Sequence, residues 1–298
     1  MTNTSETAIA PSARVAHRAI EVDGLSIFYR EAGDRTRPSV LLLHGFPSSS
    51  SMFRDLIPTL AERYHVIAPD LPGFGASDMP LPDAFTYTFD NLAAVMEAFL
   101  TAIDVQKFSV YVQDYGAPVG FRLFEAKPER VEGFIIQNGN AYEEGLSPFW
   151  EPLRALWRTN GDAERDALRD FLKIDGTKWQ YLDGEPQPEL ISPDAWRIDQ
   201  YLLDRPGNDE IQFQLFYDYR TNPERYAGWH ALFRAHQPPA LIVWGKNDTI
   251  FPAEGALAYR RDLENVELHL LDGGHFALES HGPFIAEKML AFLAREVG

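Results

Sequence analysis

The chain of 298 residues carries 44 acidic against 27 basic side chains, a formal net charge of −17, and no cysteine. That balance argues against nucleic acid or an anionic membrane surface as partner, since both demand clustered Lys and Arg; the missing cysteine excludes disulfides, thiol catalysis and thiolate metal sites. Hydrophobic residues make up 45% of the chain, enough for the core of one large domain or of a domain with an insertion.

In chain order, the polar start Met1-Thr2-Asn3-Thr4-Ser5-Glu6-Thr7 lacks the basic and apolar regions of a secretory leader. No apolar run approaches the ~18 residues of a membrane span, so a soluble cytoplasmic protein is the expectation. Val15 to Val22 and Leu25 to Arg30 read as strands joined by Asp23-Gly24, a strong hairpin signal. Ser39-Val40-Leu41-Leu42-Leu43 is an unbroken apolar run, as in a strand buried on both faces of a parallel sheet. A helical pattern over Phe53 to Ala61 precedes a strand at Val66-Ile67-Ala68, and Phe89 to Ile103 precedes the strand Phe108 to Gln113. Then come a helix Val119 to Glu125, strands Val131 to Ile136 and Ala240 to Trp244, a helix Glu254 to Leu263, a strand Val266 to Leu271 and a last helix Phe284 to Val297. Strands alternating with helices imply a parallel, doubly wound α/β sheet with right-handed crossovers.

The alternation breaks between about Asn140 and Gln237, a gap far longer than an ordinary loop. Short helices are expected there at Ala155 to Asn160, Glu164 to Leu172, Pro193 to Leu203 and Glu210 to Tyr219. The organisation expected is a core of residues 1–139 and 238–298, with residues 140–237 inserted as a helical cap over the carboxyl edge of the sheet, where open α/β sheets bind ligands.

The strand ends carry the candidate chemistry. They are His44-Gly45-Phe46-Pro47, the loop Asp70 to Asp78, Asp114-Tyr115-Gly116, Gly245-Lys246-Asn247-Asp248 and Asp272-Gly273-Gly274-His275. Asp114 stands on a sharp strand-to-helix turn in the frame Val112-x-Asp114-x-Gly116, the slot that a nucleophilic serine fills in the G-x-S-x-G elbow. A carboxylate is a poor reagent for cleaving amides or esters, but it can displace a leaving group from saturated carbon and form an alkyl ester. In isolation Asp114 would be read as a helix N-cap; combined with a later acid and histidine, catalysis is favoured. Asp272 is the runner-up acid, read as a turn residue. His44 reads as structural, holding the loop that presents Phe46, and His281 as a cap or surface residue. Gly73 and Gly75 are turn glycines without a phosphate-loop pattern, and the eight histidines have no metal-ligand spacing.

With this motif set the chain resembles the α/β-hydrolase fold family over nearly its whole length, and within it the branch of epoxide hydrolases and haloalkane dehalogenases with an aspartate nucleophile. The resemblance implies a mostly parallel, doubly wound eight-stranded sheet with a helical cap, and the chain order nucleophile, acid, histidine. Asp114 would be the nucleophile, His275 the base that activates water, and Asp248 the acid that orients it. The backbone N–H groups of Phe46 and Tyr115 would form the oxyanion hole. No cofactor and no metal are implied. The expected partner is a small hydrophobic organic substrate, and the chain is read as a monomer or a homodimer.

The leaving group separates two substrate classes. A halide is usually held by tryptophan or asparagine N–H groups, yet Tyr115 and Phe46 stand where that branch carries them, although Gln113 is dehalogenase-like. Fluoroacetate dehalogenases carry arginines straight after the nucleophile, where this chain has Tyr115 and Gly116, so a haloacid is not expected. An epoxide needs a proton donor. The segment Leu215 to Asn222 resembles the cap segment that supplies one in epoxide hydrolases, with Tyr219 the best fit and Tyr217 second. Tyr181, Tyr142 and Trp150 are further candidates. The expectation is hydrolysis of an epoxide to a vicinal diol; the alternatives are haloalkane dehalogenation and a non-catalytic binding protein on the same fold.

Overall fold

The structure, a computed structural model, describes residues 14–297. Strands β1 (Ala16–Val22) and β2 (Leu25–Ala32) form the expected hairpin. Asp23 and Gly24 both take positive φ, 50° and 80°, as the tight two-residue turn requires. Strands β3 (Ser39–Leu43), β4 (His65–Pro69), β5 (Phe108–Gln113), β6 (Val131–Gln137), β7 (Ala240–Gly245) and β8 (Val266–Leu271) complete an eight-stranded sheet in the order β1-β2-β4-β3-β5-β6-β7-β8. Pairing is antiparallel at β1–β2 and β2–β4 and parallel from β4 onward.

Every residue of β4, β5 and β7 is buried, which explains why these strands read as continuous apolar runs rather than alternating ones. One face is covered by α1 (Leu56–Leu60) and, at the end of the chain, by the Ala277–Glu296 helix. The other face carries α2 (Phe89–Ala102) and α3 (Gly116–Ala126). Leu41, Val110 and Ile242 are fully buried on that second face, and truncating Leu41 or Ile242 to alanine costs about 2–5 kcal/mol.

Between β6 and β7 run six helices: α4 (Glu151–Thr159), α5 (Asp162–Leu168), α6 (Ile174–Leu182), α7 (Pro193–Leu203), α8 (Asn208–Asp218) and α9 (Thr221–His236). Two of these, α6 and α9, lie where the sequence reading had placed no helix. In α9, Pro223 and Gly228 argue against a helix. Yet Pro223 falls in the first turn, where its missing N–H forfeits no intrahelical bond. Asn222, Tyr226, Trp229 and Phe233 form the buried stripe of α9 at helical spacing. The chain closes with α10 (Ala253–Ala258) and α11 (Ala277–Glu296). Helix α11 starts seven residues before the expected Phe284, with a kink at His281 just ahead of Pro283. Among the described residues no helix is long and apolar enough to cross a membrane.

Candidate active site

Only Tyr115 separates Asp114 from the start of α3, and the chain reverses there because Asp114 adopts φ 47°, a left-handed conformation that Asp tolerates better than most residues. Its N–H bonds the Asn138 carbonyl, just past β6, at 3.3 Å and its carbonyl accepts from Ala117 at 3.0 Å, which fixes the turn between β5 and α3. The following loop must pass very close. A Cβ on Gly45 would lie 2.3 Å from Asp114 Cβ and 2.6 Å from its Oδ1, so only glycine fits. That approach brings the Phe46 N–H to Asp114 Oδ1 at 2.7 Å. The Tyr115 N–H also acts on this carboxylate, lowering its pKa. His44 is fully buried and tied at both ring nitrogens: Nδ1 donates to the Gly45 carbonyl at 3.1 Å and Nε2 accepts the Leu71 N–H at 3.0 Å. It therefore holds the Phe46 loop as the sequence suggested.

The strand ends bring three widely separated residues together. His275 Nδ1 donates to Asp248 Oδ2 at 2.8 Å, and its Nε2 lies 3.9 Å from Asp114 Oδ2. Asp248 is held on both oxygens, Oδ1 by the Ile250 N–H at 2.8 Å and Oδ2 also by the Asn138 side-chain amide at 2.8 Å. All three residues are buried, at 5% or less exposure. Asp272 sits apart on the surface, bonded to Asn247 at 3.0 Å and paired with Lys246 at 3.3 Å.

Burial raises the Asp114 carboxyl to about 6, against the lowering effects of the His275 charge and the Phe46 and Tyr115 N–H groups. For His275, burial alone would lower the pKa. The charge and hydrogen bond of Asp248, with the charge of Asp114, outweigh it and hold the imidazole above its ordinary value. A carboxylate with one oxygen held by the Phe46 N–H and the other beside a base can act as a nucleophile and then as an acyl centre.

Aromatic side chains of the cap close over Asp114. Phe171 and Phe216 pack on Phe46 with ring centroids at 5.7 and 5.3 Å, and Tyr219 lies 6.1 Å from the Tyr115 ring. Tyr219 is 1% exposed. Burial, then the charges of Tyr226, Asp114 and Tyr115 and a hydrogen bond with Tyr226, push its phenol well above the usual range, so it remains a proton donor at any working pH. Trp150 packs on Tyr219 with ring centroids at 4.5 Å, but its indole N–H is given to the Ile250 carbonyl at 2.9 Å.

Three other tyrosine candidates are directed elsewhere. The Tyr142 hydroxyl donates to Asp262 at 3.0 Å while its ring stacks on His230 at 4.2 Å. The Tyr181 hydroxyl is given to buried Asp199 and its ring stacks on Phe276 at 3.9 Å, in the core cluster of the opposite sheet face. Tyr217 is half-buried under the Arg220 guanidinium, 3.7 Å from its ring centroid. Hydroxyls already spent on carboxylates are poor donors to a substrate, so Tyr142 and Tyr181 are withdrawn from that role.

Sequence reasoning missed Tyr226 and Asn138. Tyr226 follows Tyr219 by seven residues, close to two helical turns, a signal hidden because α9 went unread. Asn138 had a visible cue, since it directly follows β6 at the same edge as Asp114 and Asp248.

Comparison with known proteins accords with this architecture. The model of the alpha/beta hydrolase fold family matches residues 38–282, and the chain is a hydrolase that belongs to that family. An uncharacterized hydrolase of Saccharomyces cerevisiae is 43% identical over 282 residues, spanning 93% of this chain and 97% of its own length. A haloalkane dehalogenase of Mesorhizobium japonicum is 39% identical over 295 residues, spanning 90% of this chain and 88% of its own. The solved structure of the epoxide hydrolase CorEH without ligand aligns with a TM-score of 0.78 at 22% identity, covering 95% of this chain and 99% of that one, a likeness of fold.

Proposed function

We propose that this protein hydrolyses a small hydrophobic epoxide to a vicinal diol through an alkyl ester on Asp114. Asp114 Oδ2, the oxygen not held by Phe46, attacks an epoxide carbon as the C–O bond breaks, and Tyr219 gives its phenolic proton to the departing alkoxide. Oδ1 becomes the ester carbonyl oxygen, already seated on the Phe46 N–H, with the Tyr115 N–H as the second donor of the proposed oxyanion hole. A water then adds to Asp114 Cγ while one of its protons passes to His275 Nε2, and the oxyanion on Oδ1 is stabilised where it forms, a contact of this kind contributing about 3 kcal/mol. Collapse expels the diol oxygen, which takes the proton from His275. The second water proton, left on the regenerated carboxylic acid, restores the Tyr219 phenol.

Ester formation also prepares the second step. It removes the Asp114 charge, one of the influences that raise His275, so the pull toward a protonated imidazole weakens when the base is needed.

The observation that carries this reading is the division of labour within one carboxylate: Oδ1 bound by Phe46 at 2.7 Å, Oδ2 beside His275 at 3.9 Å. Tyr219 favours an epoxide. A second reading, haloalkane dehalogenation, draws on the 39% identity to the Mesorhizobium japonicum enzyme. Against it, the indole N–H groups of Trp150, Trp157, Trp229 and Trp244 are all donated to carbonyl or carboxylate oxygens rather than left for a halide. The test is His275→Gln incubated with a panel of epoxides and haloalkanes, followed by mass spectrometry of the Asp114 peptide. An epoxide adduct together with diol production by the wild type supports the proposal; halide release with no diol selects the second reading, and no adduct with any compound ends both.

A further inference from the structure

Gln113, the last residue of β5, is fully buried on the sheet face opposite Val112. Its side-chain nitrogen lies 2.9 Å from His275 Nε2. Because Asp248 Oδ2 takes the Nδ1–H, a neutral His275 presents a lone pair at Nε2, and the Gln113 amide donates to it. The other end of the amide is unsatisfied: Gln113 Oε1 is a buried oxygen with no hydrogen-bond partner among the described residues. A buried acceptor left without a partner is costly, and its persistence beside a titrating ring calls for an explanation.

A carboxamide is a donor at one end and an acceptor at the other, with nearly the same shape either way round. When His275 takes the proton of the attacking water, Nε2 changes from acceptor to donor, and the Gln113 N–H then faces an N–H. A half-turn of the amide exchanges that clash for an Nε2–H···Oε1 bond. We infer that Gln113 is a positioning residue for ester hydrolysis, its amide turning so that the orphaned oxygen accepts the imidazolium proton formed during water attack. This rests on the Asp114 ester mechanism. The second half of the cycle is affected because the imidazolium is generated there, whereas attack by Asp114 on the substrate leaves Nε2 unchanged.

The ring is otherwise fixed. Gln137 Nε2 donates to the His275 carbonyl at 3.0 Å, and the Tyr111 hydroxyl donates to the other end of Gln137. The charged or titratable groups around the ring are Asp248 after β7 and Asp114 after β5. From the cap, Glu185 accepts the Gly274 N–H at 2.9 Å, and Tyr181 with Asp199 lies behind Phe276. Of these, only Asp114 brings an acceptor toward Nε2, at 3.9 Å, and its charge is absent in the ester.

The test separates the two half-reactions by rapid quench and mass spectrometry, using the epoxide that gives an adduct with His275→Gln. Gln113→Met, similar in length but without the amide, should slow ester hydrolysis roughly tenfold to a hundredfold, leave ester formation within about threefold, and let the adduct accumulate. Gln113→Glu, an acceptor that cannot donate when ionised, should move the acidic limb of the hydrolysis rate upward by roughly one pH unit. In the wild type, the Gln113 side-chain amide signals in nitrogen-15 NMR should shift with the titration of His275, a readout independent of any variant's folding. Equal slowing of both steps, an unshifted pH limb, or amide signals indifferent to His275 would each overturn the inference. No adduct in His275→Gln would instead remove the ester mechanism beneath it.

Discussion

Asn138 Nδ2 donates to Asp248 Oδ2 at 2.8 Å, and that same oxygen accepts the His275 N–H at 2.8 Å. Asn138 also accepts the Gly245 N–H at 2.9 Å, so a single buried amide ties the acid to the end of β7. Its backbone oxygen takes the Asp114 N–H at 3.3 Å, which links the acid and the nucleophile through one residue. Asn138→Ala leaves Asp248 Oδ2 with one donor and the Gly245 N–H with none. The expected stability loss is about 2–3 kcal/mol by urea denaturation, with a drop in ester hydrolysis of roughly tenfold. Unchanged stability and turnover would mean that the amide contributes nothing to holding the acid.

Asp114 gives a prediction about stability and pH. Its folded pKa of about 6 lies above that of an unfolded aspartate, so the native state binds this proton more tightly. The associated stabilisation is complete below about pH 4 and is lost as pH rises through 6. At neutral pH the ionised side chain therefore costs up to about 3 kcal/mol, which Asp114→Asn removes. The variant should melt higher than wild type at pH 8 and about equally at pH 4, while forming no ester. Ester formation by the wild type should fall as pH drops below about 6, since only the carboxylate attacks. A melting difference that grows toward acid pH would reverse the assigned sign.

Gly45 is a steric test of the same carboxylate. An added Cβ meets Asp114 Cβ at 2.3 Å and the Gln113 carbonyl at 2.7 Å, neither of which can retreat without moving the turn. Gly45→Ala should lower kcat/KM at least about a hundredfold by displacing the nucleophile from the Phe46 N–H, while far-ultraviolet circular dichroism stays native. Near-wild-type turnover would show that the loop has more freedom than the packing allows.

How much of this was legible in the sequence follows from local chemistry. Strands β3, β5 and β8 are legible to the residue because turn residues bound them, with a mostly apolar run in β3 and β5 and apolar positions alternating with Glu267 and His269 in β8. The cluster of Asp114, Asp248 and His275 was legible for a related reason: each lies within four residues of the end of a strand, so strand topology brings them to one edge. Cap helices were less legible. In α9 a proline and a glycine masked a buried stripe, and with the helix went Tyr226. Tyr142 and Tyr181 stood behind Tyr219 and Tyr217 as further candidates because a sequence carries no record of where a hydroxyl points. Only the packed structure pairs them with Asp262 and Asp199.

Tyr219 remains as the cap hydroxyl whose neighbours fit proton donation to a substrate. Its phenol is coupled to Asp114 by charge and to Tyr226 by a hydrogen bond, and the Tyr226 oxygen in turn accepts from Asn140 at 3.1 Å. Tyr219→Phe keeps the ring against Trp150 and Phe89 and deletes only the hydroxyl, so the fold should lose no more than about 1 kcal/mol. Ester formation from an epoxide should fall roughly a hundredfold to a thousandfold, the scale of a lost general acid, whereas hydrolysis of ester already formed should change little. Tyr226→Phe should produce a smaller loss in the same step, because it acts through Tyr219. Single-turnover rates for the two steps decide the matter: equal slowing of both, or full activity without the hydroxyl, takes Tyr219 out of the chemistry and returns the haloalkane reading to first place.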